Sequence, residues 1–300
     1  MHFMSKKTLC VGCIALVALA FLYMKLTSSP KAAEEVKPTT ANDASMSDVK
    51  YNFEVKFVLD ADKVLADGTK LKDAYAKLFN IKPKANVVEL LYLDTPGKDF
   101  NKQFWVNRIR IKGKKGVELT YKYRIPVANG DIKAAIAQAQ KTDVDFNAHN
   151  CKAQIDWGNN KMNFSPAYSV SIADANITNL KELTTQNAHK LLKEHMPLCE
   201  QNTLEKGWGL ATMDKAKLAG PVLDYSYSGT YEGQKISIGL MPVTNQKTHK
   251  TSYTAELSFK VNTYDEAKTL KEKFTASLDK AGILKHEDSL KTQLVLNAYM

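Results

Sequence analysis

The stretch YNFEVKF, residues 51–57, alternates Asn52, Glu54 and Lys56 with Tyr51, Phe53, Val55 and Phe57. A strand repeats every two residues, so the three polar side chains share one face of a sheet and the aromatic and aliphatic ones share the other. An acid and a base therefore stand side by side, turned away from the apolar face. Two environments accept such a face. One is bulk water; the other is an internal site where acids hold a metal and bases hold an anion.

The same pattern recurs along the chain. In WVNRIRIKG (105–113), Arg108 and Arg110 share a face with Val106, opposite Asn107, Ile109 and Ile111. In ELTYKYR (118–124), Glu118, Thr120, Lys122 and Arg124 oppose Leu119, Tyr121 and Tyr123, and in TAELSFKVN (254–262), Glu256, Ser258 and Lys260 oppose Leu257, Phe259 and Val261. For one strand, a solvated face is the ordinary explanation. Four strands with bases outnumbering acids point instead to a sheet that closes with these faces inward, around a wet and basic lumen.

Further extended runs are NVVELLYLD (86–94), one or two strands within 152–172, and 225–242, which breaks at Glu232-Gly233. The loop Gly113-Lys114-Lys115-Gly116 joins two runs as a hairpin. Helical patterns lie at Leu71, Tyr75, Leu78 and Phe79, near 131–140 and near 178–195. A final helix opens on the capping box Thr263-x-x-Glu266, shows the stripe Ala267, Leu270, Phe274 and Leu278, and ends at Gly282. The expected fold is α+β: a closed or nearly closed antiparallel β-barrel, a tunnel, with helices outside, preceded by an N-terminal apolar segment.

That segment is Leu9–Met24, flanked by Lys6, Lys7 and Lys25. A basic start followed by an apolar run is a secretion signal, read here over residues 1–26 as a signal anchor or signal peptide. Residues 27–49 are a linker of Ser, Thr, Pro, Ala, Lys and Glu, and 50–300 are the barrel domain. The protein is thus expected to be exported, periplasmic or otherwise extracytoplasmic, and anchored in the membrane through its N-terminus. Cys10 and Cys13 fall in the apolar run, which leaves Cys151 and Cys199 free to pair or to stay as thiols.

The 300 residues carry a formal net charge of +10 and an isoelectric point near 9.2, which favours acidic partners. No helix gathers the basic residues and no aromatic platform accompanies them, so nucleic acid is not an expected partner. No Cys or His spacing suits zinc, and no Gly-x-Ser-x-Gly or paired Cys/His signature suits a nucleophile. No catalytic residue is assigned. The arginines and lysines of the lumen match phosphate oxygens in charge and in hydrogen bonding, so the expected ligand is a small phosphate-rich anion, of the triphosphate or polyphosphate type.

Four motifs carry a resemblance. Asn52-Phe53-Glu54-Val55-Lys56 resembles an opening Glu-x-Glu-x-Lys, and Tyr92-Leu93-Asp94-Thr95-Pro96 a Tyr-x-Asp-Thr-Pro. Trp105 followed by Arg108-Ile109-Arg110, and then Glu118-Leu119-Thr120-Tyr121-Lys122, continue the series in the same order. Over residues 50–124 this order and spacing resemble the CYTH superfamily of triphosphate tunnel metalloenzymes, which includes thiamine triphosphatases, inorganic triphosphatases and class IV adenylyl cyclases. The likeness extends more loosely to residue 282, with Lys215 and Lys217 where the family has further phosphate-binding bases.

The resemblance implies that Lys56, Arg108, Arg110, Lys122, Arg124, Lys215 and Lys217 bind phosphates. It implies that Glu54, Glu118 and Glu256 stand near a Mg²⁺ or Mn²⁺. The chain departs from the pattern at Asn52, at Ser258, and at Gly239 and Met241, where acids would help to hold the metal. Bases retained while acids are lost favour an anion-binding tunnel with weak or no catalysis. The alternatives are a metal-dependent triphosphatase, acting on inorganic, nucleoside or thiamine triphosphate, and a structural or interaction domain of the cell envelope.

Overall fold

In a computed structural model, residues 49–111, 116–173, 177, 179–288 and 291–300 are described. The apolar segment, nearly all of the linker, and residues 113–115 of the hairpin loop lie outside them. Among the described residues nine strands of an eleven-stranded sheet form the barrel: β1 (Tyr51–Leu59), β2 (Asn86–Asp94), β3 (Trp105–Ile111), β4 (Val117–Tyr123), β5 (Cys151–Trp157), β6 (Met162–Ile172), β7 (Lys217–Tyr231), β8 (Gln234–Thr244) and β9 (Thr251–Val261). They pair in the closed circuit β9-β8-β7-β2-β3-β4-β6-β5-β1 and back to β9.

The closure corrects the expectation of a purely antiparallel barrel. β1 pairs with β5 in parallel, Asn52 opposite Gln154 and Glu54 opposite Asp156. Parity requires this: an odd number of strands cannot alternate direction all the way round a ring. β7 carries an irregularity between Ala219 and Val222, where Pro221 lacks the N–H that the ladder needs.

The alternation read in the sequence holds. Phe53, Val55, Phe57, Leu257, Phe259 and Val261 are all buried on the outer face. They are covered there by helices, because an aromatic and aliphatic face must be removed from water. The helices include α1 (Ile132–Lys141), α2 (Thr185–His195), α3 (Leu198–Gln201), α4 (Trp208–Met213) and α5 (Tyr264–Lys280), with a further helix, α6 (Lys291–Tyr299), at the C-terminus. In α5, the Thr263 hydroxyl accepts from the Glu266 N–H at 3.3 Å. Its Phe274 ring lies 4.9 Å from Phe259 and 5.7 Å from Phe57, centroid to centroid, and Gly282 ends the helix with φ of +67°.

Two local expectations change. Leu71 lies in a two-residue strand, the helix spans only Asp73–Leu78, and Leu78 is 42 % exposed while Phe79 is buried. The helix expected near 178–195 is α2, preceded by a 3-10 turn at Leu180–Glu182. Cys151 and Cys199 are free thiols, each pushed up by burial, Cys151 to about 11 and Cys199 to about 12. Outside the barrel, Glu200 of α3 is fully buried and accepts from Asn107 Nδ2 at 2.7 Å.

Candidate anion-binding tunnel

The ladder register fixes which side chains share the inner face, since residues directly opposite each other in a pair point the same way. One row runs from Lys260 on β9 through Glu54 on β1 to Asp156 on β5. Asp156 is the hub of this region. Its Oδ1 lies 2.8 Å from Lys56 Nζ and its Oδ2 lies 2.7 Å from Lys122 Nζ. Gln154 Nε2 donates to it at 2.6 Å and Ser165 Oγ at 2.7 Å. Glu54 completes the cluster, 3.1 Å from Lys56 Nζ and accepting from Gln154 at 2.8 Å.

Charges held this closely in a dry setting fix one another's protonation. Burial alone would raise the Asp156 carboxyl, but Lys122, Lys56 and Arg124 hold it well below the usual carboxylate range. Burial would pull Lys56 down, but Asp156, then Glu54 and Glu256, hold it above the usual lysine range. For Lys122, burial wins. Asp156 opposes it, while Lys56 and Arg124 add their repulsion, and the ammonium is drawn down to about 8.

Next along the inner face are the arginines. Arg108 stands opposite Thr120 and Arg110 opposite Glu118, with Ser169 and Ser171 of β6 beyond them. Both serines are exposed, so this end of the lumen opens to solvent. Arg110 is ion-paired with Glu118, while Arg108 Nη2 reaches the Thr120 hydroxyl at 3.3 Å. The Nε atoms of Arg108 and Arg110 are buried without a hydrogen-bond partner among the described residues. Burial and the neighbouring Arg108 draw Arg110 below the ordinary arginine value, against the pull of Glu118. Behind this strand, Trp105 stacks on Tyr123 at 4.7 Å, and the indole donates to Thr203 Oγ1 at 2.9 Å. The arginine strand is thus backed by packed aromatic rings, which keeps it in place.

Part of the remaining inner surface is apolar. Val88, Leu90 and Tyr92 of β2, Val106 of β3, Val222 of β7 and Met241 and Val243 of β8 form one buried cluster. α6 packs on it through Val295, Leu296 and Ala298. The helix also brings Lys291, whose Nζ lies 3.6 Å from Asp224 Oδ1 and 3.6 Å from Glu256 Oε1. The sequence offered no ligand pattern for this helix.

Of the expected phosphate-binding residues, the structure brings Lys56, Arg108, Arg110 and Lys122 to the inner face, with Arg124 close enough to act on Lys122 and Asp156. Lys215 and Lys217 are exposed and are absent from the ion pairs of the described residues. Asp94, from the Tyr-x-Asp-Thr-Pro motif, accepts the backbone N–H groups of Thr95, Phe100 and Asn101 at 2.8–3.0 Å. That motif therefore builds a turn. Asp156, Asp224 and Lys291 were not singled out from the sequence. Alternation places Asp156 and Asp224 on inward positions, but no motif surrounds them.

The expected metal ligands do not converge. Glu54 is held by Lys56 and Gln154, Glu118 by Arg110, and Glu256 lies against Lys291. Among the described residues, no group of three or more His, Cys, Asp or Glu is placed to hold a metal ion. Mg²⁺ demands a near-octahedral shell of oxygens at about 2.0–2.1 Å. The residues present do not fit it. A surface depression of about 500 Å³ near Glu232, Asp265 and Glu266 is acidic and shares no residue with the inner face.

The closed barrel with helices outside has a divergent CYTH-like fold. No protein-family model matches the chain, and no curated protein does. Among solved structures it is similar to the candidate adenylyl cyclase HpAC1 from Hippeastrum, described as revealing a dominant triphosphatase activity. The identity is 13%, with 83% of this chain and 97% of that one covered and a TM-score of 0.50. A candidate adenylate cyclase from Bacillus halodurans matches at 13% identity, 81% and 96% coverage and a TM-score of 0.45. The PH1819 protein from Pyrococcus horikoshii matches at 16%, 81% and 98%, with a TM-score of 0.39.

Proposed function

We propose that the barrel binds a small phosphate-rich anion, of the triphosphate or polyphosphate type, at the arginine end of its lumen, with weak or no catalysis. One observation carries this reading. Arg108 and Arg110 are inward neighbours on β3, and among the described residues one carboxylate is ion-paired with them and their Nε donors are buried without a hydrogen-bond partner. A buried polar group left unpaired costs about 1–3 kcal/mol, and two guanidiniums repel each other. A polyanion reaching in past Ser169 and Ser171 would remove both penalties, and Lys122 lies one row further in to extend the grip.

Hydrolysis is the weaker reading. Phosphoryl transfer needs charge neutralised on the transferring group and a water placed in line. The carboxylates that would hold a metal for that purpose are engaged by Lys56, Arg110 and Lys291. We further infer from Leu9–Met24 that the barrel works outside the cytoplasm, tethered by its linker; fractionation of cells producing the tagged full chain tests this, and a cytosolic pool would refute it.

The anion reading is tested by incubating the full chain with tripolyphosphate, with Mg²⁺, with Mn²⁺ and with EDTA, following both equilibrium dialysis and phosphate release. Saturable retention with little or no release is expected in every buffer. Rapid metal-dependent release would replace the binding reading with a hydrolase, and absence of retention would remove it.

A further inference from the structure

The inner face has lost acids where the resemblance implies a metal, and a cation of the chain's own stands beside two that remain. Gly239 on β8 lies opposite Glu256 on β9 and Ser226 on β7. A Cβ at Gly239 would come within 2.5 Å of Lys291 Nζ and 3.4 Å of Asp224 Oδ1. A side chain at position 239 would displace the tip of Lys291, whose ammonium occupies that space.

Lys291 is not a mobile surface lysine. Its helix is fixed at the other end: Gln246 N donates to Ala298 O at 2.9 Å, and Lys247 Nζ to Met300 O at 2.9 Å. Val295 and Leu296 are buried against the barrel wall. The ammonium thus sits 3.6 Å from each of two carboxylates on a rigid support, and Glu256 and Asp224 hold it charged against the pull of burial. A cation so placed blocks a divalent ion both by charge and by volume. Lys56, 2.8 Å from Asp156 and 3.1 Å from Glu54, occupies the other acid pair in the same way.

We propose that Lys291 is a built-in cation standing where a divalent metal would bind, so that this barrel takes its anion without Mg²⁺ or Mn²⁺. The anion clause rests on the function proposed above; the occupancy clause does not, and it can be measured with no anion present.

Mn²⁺ binding to the full chain, followed by electron paramagnetic resonance without phosphate, separates the two. The wild type is expected to take up no Mn²⁺ that Glu256→Gln removes. Lys291→Met, which keeps the volume and removes the charge, is expected to expose Asp224 and Glu256 and gain a site that Lys291→Met/Glu256→Gln loses. Wild-type Mn²⁺ binding weakened tenfold or more by Glu256→Gln would overturn the proposal, as would a folded Lys291→Met protein that gains no site. If Lys291→Met fails to fold, wild-type tripolyphosphate affinity decides. Equal affinity in EDTA and in Mg²⁺ supports the proposal, and a tenfold gain with Mg²⁺ overturns it. No tripolyphosphate binding in either buffer would defeat the anion reading while leaving the wild-type Mn²⁺ titration to judge occupancy.

Discussion

The two halves of the barrel's inner surface are built on opposite principles. On β1, β4, β5 and β6, charged and amide side chains saturate one another around Asp156, and the ladder itself sets their positions. On β2, β7 and β8 the inner face carries an aliphatic cluster beside Asp224, and a terminal helix is packed against that cluster. The arginines lie where the two meet, on β3, between the ion network and Tyr92 and Leu90. An internal charged network is costly to bury and gains little in net stability, whereas an apolar wall gains stability without specificity. Placing them side by side lets the apolar half hold the barrel together while the charged half holds two guanidiniums in excess of their carboxylate.

The sharpest way to break this division is at its hub. Asp156→Ala leaves Lys56 and Lys122 as buried ammonium groups without their main partner and is expected to cost about 3–5 kcal/mol, read from urea unfolding. A change within experimental error would mean that the network is solvated and not a structural charge cluster. The apolar half gives the contrasting result. Leu296→Ala should lose about 2–5 kcal/mol yet leave tripolyphosphate affinity within about twofold, because the helix packs on the apolar cluster. Affinity falling in step with stability would show that the halves are not separable.

A smaller effect reports on pH. Burial draws Lys122 down to about 8, whereas Asp156, Glu54 and Glu256 hold Lys56 above the usual lysine range. Anion affinity should therefore fall as pH rises through about 8, by roughly three- to tenfold for one lost charge near the ligand. The same group adds stability in the opposite sense. Its folded value lies below the ordinary 10.5, so the unfolded chain holds the extra proton between about 8 and 10.5, and this lysine's contribution rises with pH across that window. Lys122→Met should abolish the affinity step. The smallest effect belongs to Lys215 and Lys217. Both are exposed, and Lys215→Ala or Lys217→Ala should change stability by less than about 0.5 kcal/mol and affinity by less than about twofold. A tenfold loss would put these lysines at the tunnel and contradict the assignment of the site to β3.

The charged half was legible in the sequence because strict alternation in YNFEVKF, WVNRIRI and ELTYKY separates inner from outer residues without knowledge of pairing. The apolar half was not. NVVELLYLD is apolar on both faces, so periodicity cannot say which of Leu90 or Leu91 looks inward. KTQLVLNAY, which supplies α6, follows the glycine that ends α5 and has the composition of any short helix. Its role depends on a contact with strands some 50–200 residues away in sequence, and no local signal encodes that. The same limit hid Asp156 and Asp224. Each alternates correctly, but only the parallel closure of β1 on β5 brings Asp156 to Lys56, and only α6 brings a lysine to Asp224. The parallel seam itself followed from strand count, and the middle of the chain gave no clear count.

Isothermal titration of tripolyphosphate into the full chain and into Arg108→Ala/Arg110→Ala, at low and at high salt, bears most directly on the central claim. Binding is expected to be saturable, to weaken with added salt, and to fall by at least about two orders of magnitude in the double variant, from about 1.5–3 kcal/mol per charged hydrogen-bonding group. Equal affinity in wild type and variant, with the variant folded, would contradict an anion site built on the two arginines.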